Sequence, residues 1–380
     1  MNPDDIRILR SVQLKTLTIT RFKSLRNCQL SFTSGVTVLV GKNGSGKSEI
    51  LEALSFLQAL FRGRVSEWLQ THLYTSGNQL LVPVAGEGAN KASLEFSAVY
   101  EYLQHRYLWH AVVNLQNFQC YTEAVSELRE PPVEFQDPVL SAFMPLSANP
   151  DVRLFVQPFA MVTPGKTQAI VFHYEGSVLS ALEYDQVPQE VRVFGDFMRR
   201  LVTDEADLKT LTGDWLGAIP DDPPEVLNGD QLPLLQTFFP RLSQLDFVTL
   251  PGGWQHLAAA IKIDGEERWC PASPALLRMV VTIHALQSSA SFVALDGADA
   301  VLAPALKIPF VNLLQSSRKP VMLATHDMLT VNQVRPEAVL TVSRDKQGTV
   351  SVVPLCDVPD MKARLEVFAP GDAILEAGIV

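Results

Sequence analysis

The sequence predicts an α/β protein, and three features along the chain support this class. Residues 36–40 are a short, mostly apolar run, which is typical of a central strand buried on both faces of a sheet. A glycine-rich loop follows, after which apolar residues recur at helical spacing over residues 50–61. Two later apolar runs, residues 292–295 and 321–324, have the length of buried strands and extend the alternation of strand and helix.

The composition indicates a globular protein with an ample core. Of the 380 residues 47% are hydrophobic, and the mean hydropathy of +0.11 excludes a disordered or collagenous chain. At roughly 150 residues per domain, the length favours two or three structural units. We divide the chain into an N-terminal lobe (1–130), an insertion (131–245) and a C-terminal lobe (246–380).

The N-terminus and the cysteines predict a cytoplasmic protein. The first ten residues carry four charges, and no run of about 18 apolar residues occurs, so we expect no secretory signal, spanning helix or membrane association. The four cysteines lie far apart without a CxxC pair, which excludes a zinc ribbon or disulfide framework and favours a reducing compartment.

Charge is distributed unevenly along the chain. The net charge of −10 argues against a protein whose overall field coats nucleic acid. Residues 1–64, however, contain ten basic and four acidic side chains, and the acidic remainder is better suited to a protein partner. We define the basic set as six of these basic residues, namely Lys15, Arg21, Lys23, Arg26, Arg62 and Arg64. Two interpretations of this set stay open, a local contact with DNA and ordinary solvated charge.

The other elements follow from periodicity and turn residues. Strands are expected within 14–40, at 94–100 and 107–115, and in a hairpin (256–263 and 266–269) around Asp264-Gly265. Helices are expected at 188–211, 274–286 and 304–315. Residues 77–90 and the acidic segment 214–225 are expected to be loop and linker, and residues 131–164 irregular.

The residue types of the glycine-rich loop predict a phosphate-binding site. Residues 41–48 read Gly-Lys-Asn-Gly-Ser-Gly-Lys-Ser and match GxxxxGK[ST]. The glycines let the backbone curl so that its N–H groups point at phosphate oxygens, and the next helix directs its positive end at the same anion. Lys47 reaches the β- and γ-phosphates, and the Ser48 hydroxyl is placed to ligate Mg²⁺. The candidate binding residues are Gly41, Asn43, Gly44, Ser45, Gly46, Lys47 and Ser48.

The two later strands supply further parts of such a site. Asp296 ends the first of them, as the Mg²⁺-side aspartate of a Walker B strand must. His326 follows the second as a polar switch residue, and it is the candidate catalytic group. The chain lacks an NKxD-type base reader, which argues against a GTPase.

The first segment resembles a known family. Residues 17–25 read Leu-Thr-Ile-Thr-Arg-Phe-Lys-Ser-Leu, and with residues 40–48 they look like the ABC-type ATPase head, closest to RecF, the SMC proteins and the OLD-like ATPases of bacterial defence. The resemblance covers about residues 12–62 and 255–345. It implies a P-loop NTPase of the ABC/SMC-head type, with a mixed sheet, flanking helices and a compact insertion, that binds ATP and Mg²⁺. In that branch the Phe-Lys-Ser segment lies beside the nucleotide, which makes Lys23 and Ser24 candidate contacts.

The Walker B strand departs from the family pattern. Members end this strand Asp-Glu-Pro-Glu, whereas here Gly297 follows Asp296, so the glutamate that polarises the attacking water is missing. Asp299 is displaced along the turn, and it is a poor substitute because a general base must first be correctly placed.

The family signature, near Leu-Ser-Asp-Gly-Thr-Leu-Arg, is also altered. Ser273 and Arg278 remain, and the resemblance places such residues on the ATP of an opposite subunit. The signature glycine is Ala275, and Pro274 removes an N–H group. Intact binding residues beside two damaged catalytic elements predict ATP binding with weak or no hydrolysis.

The resemblance also implies partners. Heads of this family sandwich two ATP molecules between two subunits, so we expect a homodimer or a heterodimer with a related ATPase, acting on a separate effector protein in DNA repair or anti-phage defence. Two alternatives stay open. One is an active ATPase that drives conformational cycling in DNA repair or recombination, and the other is a non-catalytic interaction scaffold.

Overall fold

The computed structural model of the protein describes residues 12–33, 35–72, 93–128, 151–157, 160–169, 174–182, 187–203, 231–249 and 255–380. The chain folds into two compact units that alternate along the sequence. The first contains Met1–Thr33, Asn43–Leu201 and Val342–Pro354, and the second contains Ser34–Lys42, Val202–Thr341 and Leu355–Val380. The predicted loop 77–90 and linker 214–225 lie outside the described residues.

The described elements are named in chain order. The strands are β1 (Val12–Phe22), β2 (Leu25–Ser31), β3 (Val36–Val40), β4 (Ser93–Tyr102), β5 (His105–Asn114), β6 (Gln119–Leu128), β7 (Val152–Gln157), β8 (Ala160–Thr163), β9 (Lys166–Ala169), β10 (Leu201–Thr203), β11 (Leu242–Thr249), β12 (Gln255–Ile263), β13 (Glu266–Pro271), β14 (Phe292–Asp296), β15 (Val321–Thr325), β16 (Val339–Arg344) and β17 (Val350–Pro354). The helices are α1 (Lys47–Arg62), α2 (Val65–Thr71), α3 (Gln189–Arg199), α4 (Gln231–Phe238), α5 (Pro274–Gln287), α6 (Pro304–Ser316), α7 (Met328–Val331), α8 (Met361–Leu365) and α9 (Pro370–Glu376).

The first unit contains a mainly antiparallel sheet in the order β17-β2-β1-β4-β5-β6-β7-β8-β9. Apolar and polar residues alternate along β1, so one face of this strand is buried. Strands β1 and β2 form a hairpin in which Phe22 pairs with Leu25, and Lys23 and Ser24 therefore make the turn. Strand β17 runs parallel to β2, where Val350 lies opposite Leu25.

Aromatic side chains hold α1 in this unit. The ring of Phe56 on α1 lies 5.5 Å from that of Phe22 and 5.9 Å from that of Phe96, measured between centroids. Phe61, near the end of α1, lies 5.1 Å from Trp109. All these side chains are buried, and burial of a phenylalanine contributes about 1.5–3 kcal/mol. The helix that follows the glycine-rich loop is thus firmly anchored.

The second unit is built on the parallel strands β14, β15, β3 and β16, with β10 beside β14. These strands read as nearly continuous apolar runs, as is usual where both faces of a parallel sheet are covered. Helices α5 and α6 contribute Met279 and Phe310 to the core that contains Val38 and Val293. A separate three-stranded sheet, β11-β12-β13, belongs to the same unit.

Most elements predicted from periodicity are present, and the α/β class is confirmed. The Asp264-Gly265 hairpin has positive φ at both turn residues, 51° and 86°, as a type I′ turn requires. Two predictions are wrong. The helix predicted over 188–211 ends at Arg199, because β-branched residues follow and form β10 beside β14. The segment 131–164, predicted irregular, contains β7 and β8, whose pairing with β6 and with each other does not register in local periodicity.

Candidate nucleotide-binding site

The glycine-rich loop connects the end of β3 to the start of α1 and has the curled backbone that its sequence predicts. Gly44 has φ 74° and Gly46 has φ 112°, values that residues with a Cβ atom adopt only at a cost. A Cβ atom on Gly46 would also lie 2.5 Å from a methyl carbon of Val350, whereas one on Gly44 would meet nothing within 4 Å. Glycine is therefore required at position 46 for both conformation and space.

The start of α1 offers donors to an anion. Gly46 is the N-cap residue, and since glycine has no side chain it makes no side-chain capping bond to the first N–H groups of the helix. Lys47 is buried with 5% of its surface exposed, and Ser48 is exposed. The hydroxyl of Ser45 is buried and has no hydrogen-bond partner among the described residues. These features fit a phosphate group, which supplies the acceptor oxygens that the loop lacks.

Three parallel strands of the second unit end at one edge of their sheet. Val40 of β3 lies beside Thr325 of β15, and Ala324 of β15 lies beside Asp296 of β14. Gly41 therefore follows at the same edge as Asp296 and His326, which is where ligands bind in open α/β sheets. The structure brings the start of the predicted loop, the predicted metal-side aspartate and the predicted switch histidine to this edge.

A polar network surrounds the loop that carries His326. The hydroxyl of Thr325 donates to Asp299 at 2.6 Å and accepts from the N–H of Asp327 at 2.9 Å. Asp327 also caps α7 by accepting from the N–H of Thr330 and pairs with the buried Lys307. Burial raises the pKa of Asp327, but Lys307 and the backbone N–H of Thr330 in α7 lower this pKa by more. The net pKa of Asp327 therefore lies below its ordinary value. His326 itself is exposed between these two anchored residues.

The turn after β14 has glycine at the position where the resemblance to ABC-type heads predicts a glutamate. Gly297 has φ 57°, and its N–H donates to the carbonyl oxygen of Ala324 at 2.9 Å. Asp299 is fully buried and accepts from Thr325, so this carboxylate faces the protein interior. Asp299 therefore helps to hold the loop that carries His326, through its hydrogen bond with Thr325.

Lys23 and Ser24 lie at the side of α1 and contact its acidic residues. Lys23 forms an ion pair with Glu52, and the hydroxyl of Ser24 donates to Glu49. The N–H of Ser24 also donates to Glu49, at 3.3 Å. The sequence placed both residues near the nucleotide through the resemblance, and their direct contact with a nucleotide stays a prediction.

The residues retained from the signature lie at the start of α5. Ser273 is the N-cap of this helix, and its hydroxyl accepts from the N–H of Leu276 at 3.3 Å. Pro274 occupies the first helical position, where the missing N–H has no intrahelical partner to lose. Arg278 lies about one turn further along α5 and is half-buried. A contact of Ser273 or Arg278 with an opposite subunit stays a prediction.

Sequence reasoning missed the contacts that Arg344 makes with the loop and with α1. Arg344, at the end of β16, donates to the carbonyl oxygen of Gly44 and pairs with Glu49. Arg344 and Glu49 are 295 positions apart, so no local pattern connects them.

Within the described ranges, no group of three His, Cys, Asp or Glu side chains is arranged to hold a metal ion. No helix in the described part of the chain has the length and apolar character needed to cross a membrane.

Comparisons with known proteins agree with this geometry. Residues 13–68 match the family model described as RecF/RecN/SMC N terminal domain. Over 64 residues, 17% of this chain and 6% of the other, the protein is 38% identical to the DNA double-strand break repair Rad50 ATPase of Methanococcus maripaludis. Over 53 residues, 14% of this chain and 13% of the other, it is 45% identical to the DNA replication and repair protein RecF of Arthrobacter sp. strain FB24. The matched segment is thus a small fraction of these relatives' length.

One solved structure extends the likeness to the whole fold. The SmcHead bound to the C-winged helix domain of ScpA aligns with a TM-score of 0.51 at 14% identity, over 92% of this chain and 99% of that chain. The chain therefore shares the fold of an SMC head. More particularly, its residues 13–68 are similar to the N-terminal segment of the RecF, RecN and Rad50 group, whose members carry the same phosphate-loop pattern. The fold class expected from the sequence is confirmed.

Proposed function

We propose that this protein binds ATP with Mg²⁺ and uses the bound nucleotide chiefly as a signal, with slow hydrolysis. One observation carries the proposal: the phosphate-binding loop is complete, while Gly297 stands where the water-activating glutamate belongs. Losing a positioned general base costs about 10²–10⁴ in rate. Binding and turnover are therefore expected to be separated in this chain.

The loop residues, Asp296 and His326 have roles in this proposal. The loop amides and Lys47 would hold the phosphates, and the Ser48 hydroxyl would ligate Mg²⁺. Asp296 and His326 keep the roles that the resemblance gives them, the metal-side aspartate and the polar switch residue. Mg²⁺, when bound, would neutralise part of the phosphate charge. The phosphates in turn supply the acceptors that the buried hydroxyl of Ser45 lacks among the described residues.

Lys47→Ala tests the binding half of the proposal. We expect the affinity for Mg²⁺-ATP to fall about 10- to 100-fold, because the variant loses a charge-assisted contact in a buried position. Lys42→Ala is the matched control, since Lys42 is an exposed lysine of the same loop. Titration with a fluorescent ATP analogue measures affinity, and single-turnover assays with labelled ATP measure hydrolysis. Equal affinity of Lys47→Ala and wild type would contradict the proposal, and brisk Lys47-dependent turnover would favour the active-ATPase alternative.

The signal acts, in this proposal, through the association of heads and a separate effector protein of a DNA-repair or anti-phage defence complex. Support comes from the likeness to RecF and Rad50 and from a solved SMC head that is bound to ScpA. Light scattering with and without a slowly hydrolysed ATP analogue separates a nucleotide-dependent homodimer from a monomer that needs a related ATPase. If the mass is the same with and without the nucleotide, both for the protein alone and for its mixture with a related ATPase, the scaffold alternative is favoured.

Contact with DNA is proposed to involve few phosphates, because much of the basic set is already engaged within the first unit. Lys23 pairs with Glu52, and Lys15 pairs with Glu101. Arg26 donates to two backbone carbonyl oxygens, and Arg62 donates to the carbonyl oxygen of Arg199.

The salt dependence of DNA binding measures how many phosphates are contacted. We expect the slope of log affinity against log salt concentration to be no steeper than about −2, since each neutralised phosphate contributes about −0.9. Fluorescence anisotropy of a labelled duplex at several salt concentrations gives this slope. A value near −5 would mean that the whole basic set binds DNA.

A further inference from the structure

We propose that Arg344 is a positioning residue of the phosphate-binding loop, an inference that rests on the proposed function. Its guanidinium joins three segments of the first unit. The Nε atom donates to the carbonyl oxygen of Gly44 at 2.8 Å, and Nη1 donates to that of Gly348 at 3.0 Å. The Nη2 atom pairs with Glu49 on the first turn of α1. A single side chain thus ties the β16–β17 connection to both the loop and the helix.

The contact with Gly44 sets the direction of an amide that a phosphate needs. In a trans peptide the carbonyl oxygen of one residue and the N–H of the next point in opposite directions. Arg344 holds the Gly44 oxygen towards its own guanidinium, so the N–H of Ser45 points away from Arg344 and is open to a phosphate. A Cβ atom added to Gly44 would meet no atom within 4 Å, so no neighbouring group packs against this side of the residue. Packing there therefore does not substitute for the hydrogen bond from Arg344.

Glu49 keeps the arginine in place. Its carboxylate accepts from Arg344 on one oxygen and from the hydroxyl and N–H of Ser24 on the other. Burial raises the pKa of Glu49, but Ser24 and Arg344 lower it more, and the net value lies below normal. Glu49 is therefore ionised at neutral pH and forms a charge-assisted pair with Arg344.

The start of β17 contacts the second loop glycine that has positive φ. Val350, the first residue of β17, packs against Gly46 so closely that a Cβ would lie 2.5 Å from its methyl carbon. Arg344 and Val350 thus contact the two glycines of the loop that have positive φ. This support prepares the loop for an anion before the anion arrives, and preparation of this kind improves affinity without any direct contact.

Arg344→Ala is the decisive variant. Without the guanidinium, the loop is expected to occupy its binding-competent form less often, and apparent affinity falls in proportion to that fraction. We expect about a 10-fold weaker affinity for Mg²⁺-ATP and an equal loss for Mg²⁺-tripolyphosphate, because the loop holds phosphate in both. Arg344→Lys is expected to recover part of the affinity, since lysine keeps the positive charge but lacks the planar guanidinium that donates several hydrogen bonds at once. Lys346→Ala, an exposed lysine of the same turn, is the matched control.

Hydrogen exchange tests the positioning role without any nucleotide. In the nucleotide-free protein, amides of residues 43–48 are expected to exchange several-fold faster in Arg344→Ala than in wild type or Lys346→Ala. If the alanine variant does not fold, Glu49→Gln tests the clamp, by which we mean the contacts of Arg344 with Gly44 and Glu49. We then expect smaller increases in amide exchange and smaller losses of affinity. Exchange that is equal in all folded variants would overturn the inference.

The two ligands distinguish the ways in which the idea fails. A loss for Mg²⁺-ATP alone would mean that Arg344 contacts the nucleoside, which overturns the positioning role. Equal affinity of Arg344→Ala and wild type for both ligands would overturn it as well. A wild type that binds neither ligand would refute the proposed function, whereas faster exchange in Arg344→Ala would still support the clamp.

Discussion

Gly297→Glu is expected to raise the single-turnover rate of ATP hydrolysis about 10²-fold over the wild type. The substitution places a carboxylate directly after Asp296, where the ABC-type heads that this chain resembles carry their water-polarising group. A positioned general base contributes about 10²–10⁴ in rate, and the lower end is expected here because the backbone conformation at this position suits glycine. Rapid quench with labelled ATP measures the rate.

Space around Gly297 permits the substitution, but the backbone resists it. A Cβ on Gly297 would meet its nearest neighbour, the Cβ of Ala300, at an ordinary 3.8 Å. The φ angle of 57° is left-handed, which costs about 1–2 kcal/mol for a residue with a side chain. Gly297→Gln carries the same backbone cost and nearly the same shape without the carboxylate, so it is the matched control. Equal rates for the Glu and Gln variants would contradict the role assigned to this position.

The parts of the site that are local in sequence were predictable. The strand, loop and helix around residues 41–48 carry their own signals in glycine spacing and apolar periodicity, and each lies where the sequence put it. The positions of Asp296 and His326 at the ends of strands were predictable, because a polar residue after a buried strand differs clearly from the apolar run, and their roles stay predictions. The type I′ turn at Asp264-Gly265 is another local signal, since its geometry selects these residues.

The parts that depend on tertiary contacts were not predictable. Arg344 supports a loop 300 positions away, and nothing in its neighbourhood marks it as different from other surface arginines. Asp299 was judged only as a substitute base, whereas its buried bond to Thr325 gives it a role in the His326 loop. The strand β10 was missed for the same reason, because its pairing with β14 outweighs the helical pattern before it.

The far end of α1 depends on a buried carboxylate. Glu123 on β6 is completely buried and accepts from Trp109 Nε1 at 2.9 Å, from the hydroxyl of Ser177 at 2.7 Å and from the N–H of Val178 at 2.9 Å. The N–H of Ser177 in turn donates to the carbonyl oxygen of Leu60 at 2.9 Å. Glu123 therefore fixes the segment that completes the hydrogen bonds at the C-terminal end of α1.

Glu123→Ala is expected to lower the free energy of unfolding by about 3 kcal/mol, because three buried donors lose their acceptor and a cavity remains. Glu123→Gln keeps one acceptor oxygen but presents an amide to the N–H of Val178, and a loss of about 1 kcal/mol is expected. Urea unfolding followed by tryptophan fluorescence measures both, with the exposed Glu67→Ala as control. A loss below about 1 kcal/mol for Glu123→Ala would show that the segment at residues 177–178 is held by other contacts.

The pH dependence of the same variants checks the charge state of Glu123. Burial raises the pKa of this carboxyl above its ordinary 4.5, and the bonds from Ser177, Trp109 and Val178 lower it only in part. A folded pKa above the unfolded value means that the contribution to stability is full below about pH 4.5 and is lost as pH rises through the folded pKa. The stability of wild type relative to Glu123→Gln is therefore expected to fall as pH rises above 4.5. A difference that grows with pH would mean that the three donors outweigh burial and that the carboxylate is held ionised inside the first unit.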